Sequence, residues 1–469
     1  MPFFQVDINT LNRLIAIALS RGGDYADLYF EYGELEEMNL RDSKVNSAGK
    51  HIDYGVGIRV LKGEQTGYAY SESTEWSQME KAARAAAAIA DNSHSALSPN
   101  PLNITTIKGG SYYSTTDNWS KLLNSDKIAY LQKLNEIIHS LDSRITNVSE
   151  GLCYAFDRFL FYNSLGEIAE DCGPTISLSV SVVSKDGSRS ESASISRSFR
   201  MGKEFLSDDL LNELAHKVVD KCSFLFKAKQ AKGGKMPVIM NAGGSGIFLH
   251  EAIGHSFEAD FIRKGTSIFS DSLGKKICNE NISVIDDGTI PFNRGSINID
   301  DEGVVSQKTF MVKNGVLNSF LHDRVSAKHY GVAPTGNGRR ESFRYYPIPR
   351  MRATYMENGD ACREDLIASV KKGIFLDSFS NGQVMIGAGD FTFYAKSGYL
   401  IENGKLTQQI KDVNIIGNGP QALADIVGVA ADCSIENGRW ICGKEQSCAV
   451  SCGMPTVLIK SLSVGGAAI

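Results

Sequence analysis

His250, Glu251 and His255 stand together in the run NAGGSGIFLHEAIGHSFEAD, residues 241–260. Two imidazoles can hold a divalent metal through ring nitrogens. A carboxylate beside them can take a proton from a water that the metal polarises. The helical form of this device, H-E-x-x-H, sets its histidines four residues apart. Here the separation is five. At about 100° per residue, four residues return to within about 40° of the start, whereas five overshoot to about 140°. A regular helix would splay His250 and His255 apart. For both to face one metal the helix must be locally widened, as in a π-bulge, and Gly254 inside the spacer would tolerate that distortion.

The surrounding sequence supplies a rigid mount. Residues 236–240 (MPVIM) read as a short buried strand and residues 242–246 (AGGSG) as a tight turn. Residues 247–262 then read as one helix, with Ile247, Phe248, Ile253, Phe257 and Phe261 apolar. A strand, a glycine turn and a helix hold a site firmly. The same turn could cradle a phosphate at the helix N-terminus, but the run lacks the Lys-Ser/Thr ending of a P-loop.

Composition narrows the function classes. The 469 residues are enough for two or three domains, and 42% hydrophobic and 22% charged content is ordinary for a globular protein. A net charge of -5 disfavours a general nucleic-acid binder. No apolar run reaches membrane-spanning length, and the N-terminus lacks a signal-peptide pattern. Nine scattered cysteines point to a reducing, cytoplasmic setting. Cys433, Cys442, Cys448 and Cys452 gather near the C-terminus without a C-x-x-C zinc spacing. On composition alone most of them are small buried hydrophobes.

The fold class expected is α+β. In the first half, residues 9–21, 75–91 and 126–141 have helical spacing. Residues 25–32, 52–61, 65–70, 144–161, 175–184 and 190–199 read as strands. Ser207 followed by Asp208 and Asp209 caps a further helix. Residues 91–124, rich in Ser, Asn, Thr and Pro, read as a long loop. The order helix, strands, helix occurs twice, which predicts an N-terminal α/β domain over residues 1–228. The basic, glycine-bearing stretch 227–237 is the linker candidate. Beyond it, short β-like runs and Asn-Gly pairs at 314–315, 381–382, 403–404 and 437–438 predict a mostly β domain over residues 235–469 that carries the HEAIGH helix near its start.

Several segments in this second half resemble the TldD/PmbA family of metallopeptidases. They are GGSGIFLHEAIGHSFEAD, residues 263–267 (RKGTS), 286–289 (DDGT), 299–303 (IDDEG), 334–342 (PTGNGRRES), 441–444 (ICGK) and 463–466 (SVGG). The resemblance is to the active branch of the family, since a silent branch lacks the histidine motif. It implies a zinc peptidase in which His250, His255 and Cys442 hold Zn2+ and Glu251 is the general base, with a zinc-activated water as nucleophile. It also implies a dimer, with a PmbA/TldE-like subunit or with a second copy of the chain, acting on unfolded peptides or peptide precursors.

Two imidazoles and a thiolate meet the three-ligand count of a catalytic zinc site and favour zinc over magnesium or calcium. Glu258 and Asp260 are alternative oxygen ligands, here placed behind the ligands or on the helix surface. Arg339, Arg340, Arg344, Arg350 and Arg352, with Tyr345 and Tyr346, could contact nucleic acid; an ion-paired loop near the domain core is the preferred reading at this net charge. A non-catalytic partner-binding subunit, or a regulator of a DNA enzyme, is the competing functional class.

Overall fold

The computed structural model describes residues 1–90, 101 and 103–466. Residues 91–100 and 102, the start of the expected 91–124 loop, lie outside the described residues.

The first half is built on one sheet that is antiparallel except for a short edge strand. Its strands are β1 (Tyr25–Arg41), β2 (Lys44–Lys62), β3 (Gln65–Ser71), β4 (Thr105–Thr106), β5 (Ile145–Asn163), β6 (Glu167–Asp186) and β7 (Arg189–Phe199). Their order is β3-β2-β1-β5-β6-β4, with β7 also on β6. The two sequence rounds thus share a single sheet, joined where β1 pairs with β5. β1 and β2 run far beyond the alternating segments read from sequence, and the Asp42–Ser43 turn closes them with both residues in the left-handed region. The added length is polar and half exposed, so alternation could not reveal it; β2 and β5 hold that of β1 extended, and β1 holds that of β2.

Helices α1 (Ile8–Leu19) and α2 (Trp76–Ala87) close one core with β1 and β2. Helices α3 (Asn124–Leu141) and α4 (Asp208–Lys227) close another with β5 and β6. Asp7 accepts from the Thr10 amide and Ser207 from the Leu210 amide, each satisfying a free N–H of a first helical turn. The 227–237 stretch is largely strand: Lys229–Gln230 pairs with Ile410–Lys411, and Gly234–Met240 runs through the middle of a second sheet. Unpaired backbone there would be costly, and the sheet takes it up.

That second sheet has seven strands, in the order Ile426–Val429, Val457–Gly465, Gly234–Met240, Lys372–Met385, Asp390–Glu402, Lys405–Asn418 and Lys229–Gln230. A six-stranded sheet lies opposite, with Val284–Asp287, Ala353–Met356 and Ser451–Met454 at its centre. The largest core joins the two. Helix Ile247–Ala252 is clamped between them. Phe248 meets Phe391 and Phe393 edge-on, at 5.6 and 6.2 Å between ring centroids, while Gly246 abuts Gly453.

Asn314-Gly315 and Asn403-Gly404 form turns with positive φ at both residues. Asn381-Gly382 does not: it lies inside strand Lys372–Met385, where the Phe393 ring covers Gly382 so closely that a Cβ would meet it at 2.1 Å. The arginine cluster is ion-paired and internal. Arg350 and Arg352 are fully buried, Arg352 Nε reaches Asp286 Oδ2 at 2.8 Å, and Arg344 reaches Asp53 at 2.9 Å. Arg59 of β2 crosses to Glu302 at 2.6 Å, tying the two halves together.

Candidate metal centre

The glycine turn after Gly234–Met240 needs its glycines. Gly243 has φ 83° and donates its N–H to the Met454 carbonyl at 2.9 Å. At Gly246 a Cβ would meet the Gly453 backbone at 2.3 Å. The turn therefore delivers the helix at close backbone contact with the neighbouring sheet.

The segment that follows is not one helix. Ile247–Ala252 is α-helical, Ile253 breaks it at φ -132° and ψ -49°, Gly254–Phe257 is a tight 3-10 turn, and Ala259–Arg263 resumes the helix. The expected continuous helix over 247–262, widened by a bulge, is corrected on this point. The non-helical φ at Ile253 redirects the chain, so the 140° splay of a regular helix does not apply. Gly254 is required by packing: a Cβ there would meet Met351 Sδ at 2.3 Å.

With the break in place, the rings of His250 and His255 stand 5.0 Å apart at 81°. Cys442 joins them, and the ligand atoms of all three lie within 4.8 Å of one another. Cys442 Sγ is 3.2 Å from His255 Nε2. Cys442 sits in a small hairpin, Ile441–Lys444 paired with Gln446–Ala449, turned at Glu445 with φ 57°. Side chains alternate along it: Ile441 and Gly443 face outward, Cys442 and Lys444 inward. Cys448, opposite Cys442, is also buried but makes its contact with Arg350 Nη1, at 3.4 Å. Cys452 belongs to the six-stranded sheet. Only Cys442 of these three joins the histidines.

The donor set fits a zinc ion. Both ring nitrogens of His250 are buried without a hydrogen-bond partner, a costly state for an imidazole unless a ligand takes a lone pair. His255 is anchored at Nδ1 by Glu258 Oε2 at 2.8 Å, which leaves Nε2 aimed at the cluster. Burial alone would raise the Cys442 thiol, but the charges of His250 and His255 outweigh it and bring it down to about 4, favouring thiolate. Burial likewise opposes the Glu258 carboxylate, yet Lys444, His255 and Arg350 hold it at about 2.

Glu251 is the partly exposed member. Its Oε2 lies 3.9 Å from His255 Nε2 and it borders a cleft of about 810 Å³. Gly382–Ile386, Phe391, Thr392 and the Gly443–Glu445 turn form much of the cleft wall. Glu258 is fully buried behind His255, as expected of a residue supporting a ligand. Asp260 is not a surface residue: it is buried and accepts from Lys444 Nζ at 2.7 Å. Lys444 and Arg350 were not legible as parts of the site. The one available signal was period two, which puts Lys444 on the same strand face as Cys442.

The helix break and the packed sheets thus bring two histidines and a cysteine together as a group that could hold a metal ion. The family model for the PmbA/TldA metallopeptidase C-terminal domain matches residues 233–466, and those for domain 1 and the central domain match residues 26–90 and 117–222. The chain belongs to the PmbA/TldD family of metallopeptidases. It is 36% identical to the metalloprotease TldD homolog of Haemophilus influenzae, over 98% of this chain and 97% of that protein. Identity to the TldD homolog of Buchnera aphidicola (Acyrthosiphon pisum) is also 36%, over 94% and 93%. The fold is shared with TldE from Thermococcus kodakarensis, at TM-score 0.74 and 20% identity over 97% of this chain and 100% of that one. A Bacteroides thetaiotaomicron protein described as a candidate modulator of DNA gyrase has the same fold, at TM-score 0.76 and 20% identity over 98% of both chains. Among the described residues no helix is long and apolar enough to cross a membrane.

Proposed function

We propose that the protein is a zinc metallopeptidase that cleaves unfolded peptides or peptide precursors. The observation that carries this reading is the convergence of His250, His255 and Cys442 beside Glu251 at the cleft. A zinc ion held by these three residues would supply Lewis-acid polarisation and acidify water. Glu251 lies outside the ligand set, within reach of the cleft, and acts as general base. It takes the proton of the attacking water and delivers it to the leaving amine. Glu258 fixes the tautomer and direction of His255.

The relatives named metalloproteases, one of them a zinc metalloprotease from Saccharolobus solfataricus, support the same reading. The shape of the cleft supports an extended substrate. Its wall is strand backbone with Val384, Met385 and Phe391, so a peptide can be held through main-chain hydrogen bonds that do not depend on its sequence. We further take the chain as two units, residues 1–228 and 235–469, working in the cytoplasm as a dimer with a TldE-like subunit or with itself; the shared fold with TldE supports the former.

The test is metal analysis of the purified protein with a peptide-cleavage assay, alone and co-expressed with a TldE-like chain. About one zinc per chain, and cleavage lost on chelation and regained with zinc, are expected. A metal-free protein without hydrolysis would instead favour the non-catalytic, partner-binding class. A fully active monomer would remove the dimer from the reading.

A further inference from the structure

Cys442 reaches the histidines from a separate hairpin, so something must hold that hairpin in register with the His255 turn. Behind the ligands lies a buried set of charges. Glu258 Oε2 accepts from His255 Nδ1 at 2.8 Å and lies 3.1 Å from Lys444 Nζ. Lys444 is two residues from Cys442, on the same strand face. Its ammonium also donates to Asp260 Oδ1 at 2.7 Å and to the Pro349 carbonyl at 3.0 Å. The next residue, Arg350, is fully buried. It donates through Nη2 to the Cys442 carbonyl and through Nη1 to the Gln446 carbonyl, each at 2.6 Å, and its Nε faces Glu258 Oε1 at 4.0 Å.

We infer that Glu258, Lys444 and Arg350 form a registration clasp that locks the Cys442 hairpin to the His255 turn and so assembles the metal site. Glu258 is the shared member. One carboxylate orients a histidine ligand and, through two cations, fixes the strand that carries the thiolate ligand. Each cation has a second hold on the hairpin or its surroundings: Arg350 grips backbone on both strands, and Lys444 spans from the hairpin to Asp260 of the following helix. These are positioning residues, since none of them belongs to the ligand triad. A charge isolated in such a place would be strongly destabilising, so the three are expected to act as one unit.

The inference rests on the metal site proposed above, and the test separates the two. Zinc affinity of the full-length protein is measured by chelator competition for the wild type and for Glu258→Gln, Lys444→Met, Lys444→Arg and the Glu258→Gln/Lys444→Met double variant. Cobalt-substituted samples report the thiolate-to-metal charge-transfer band. Metal-free unfolding curves report the fold. Glu258→Gln and Lys444→Met should each weaken zinc binding by about 10- to 100-fold and diminish the thiolate band. The double variant should lose no more than the worse single variant, and Lys444→Arg should recover most of the affinity. Wild-type affinity and an unchanged thiolate band in both single variants, or strictly additive losses, would overturn the clasp. So would a loss explained by unfolding of the metal-free protein that Lys444→Arg does not restore. A wild type that binds no zinc would overturn the proposed metal site itself, and the clasp with it.

Discussion

Cys442 Sγ lies 3.2 Å from His255 Nε2 although 187 positions separate the two residues. Their contact depends on two local events far apart in the chain. One is the break at Ile253, which turns His255 toward His250. The other is the tight hairpin at Glu445, whose alternation turns Cys442 inward.

Glu251→Gln should keep the metal and lose peptide cleavage by about 100- to 10,000-fold, the range for removal of a general base. Zinc content and kcat on one peptide, measured on the same preparation, check this. Substantial turnover by the zinc-loaded variant would show that Glu251 does not have this role.

Cys442→Ala should weaken zinc binding well beyond the about 10- to 100-fold that loss of a supporting residue costs. Cys448→Ala and Cys452→Ala should retain the metal, because the Cys448 sulfur contacts Arg350 and Cys452 is packed in the hydrophobic core instead. Equal zinc loss in all three variants would contradict the thiol assignment.

Gly246→Ala should be more damaging than Gly254→Ala. The added Cβ at position 246 meets the rigid Gly453 backbone at 2.3 Å, whereas at position 254 it meets the Met351 thioether, which can change rotamer. Losses of about 3 kcal/mol or more and about 1 kcal/mol are expected. Urea unfolding of both variants gives the comparison, and Gly254→Ala being the worse would refute the packing argument.

Acid should weaken the fold partly through His322. Burial pushes its imidazole down to about 4 from an ordinary value of 6.5. Because the folded state disfavours the proton, stability is full above about pH 6.5 and falls as pH drops toward 4. The shift corresponds to about 3 kcal/mol at the acid end. His322→Gln should flatten the slope of unfolding free energy against pH by about one proton across that window. A slope identical to wild type would show that His322 does not titrate in this way.

A folded globular protein should resist cleavage, whereas the same chain unfolded should be cut at many sequences. Both forms are compared at equal concentration, with the products mapped by mass. Rapid cutting of the folded form, or strict dependence on one residue type, would contradict strand-like binding in the cleft.

Local sequence was enough for the α+β class, for the helically spaced residues 9–21, for the helix capped by Ser207, and for the alternating parts of the strands. These are short-range matters of spacing and turn chemistry, and the structure keeps them. The types of His250, Glu251 and His255 raised a hydrolytic metal site as an expectation, because two imidazoles beside a carboxylate suit that chemistry. Tertiary structure decided the rest. Whether the five-residue spacing brings the histidines together depends on the break at Ile253, which forms where Gly254 packs against Met351. The polar length of β1 is extended because β2 and β5 pair with it on both sides, and that of β2 because β1 pairs with it, an effect no single strand can show. Lys444 and Arg350 read as ordinary basic residues until the fold buries them against Glu258. The choice of Cys442 over its neighbouring thiols is likewise a property of the folded chain, because contact between residues so distant in sequence exists only once the sheets have packed.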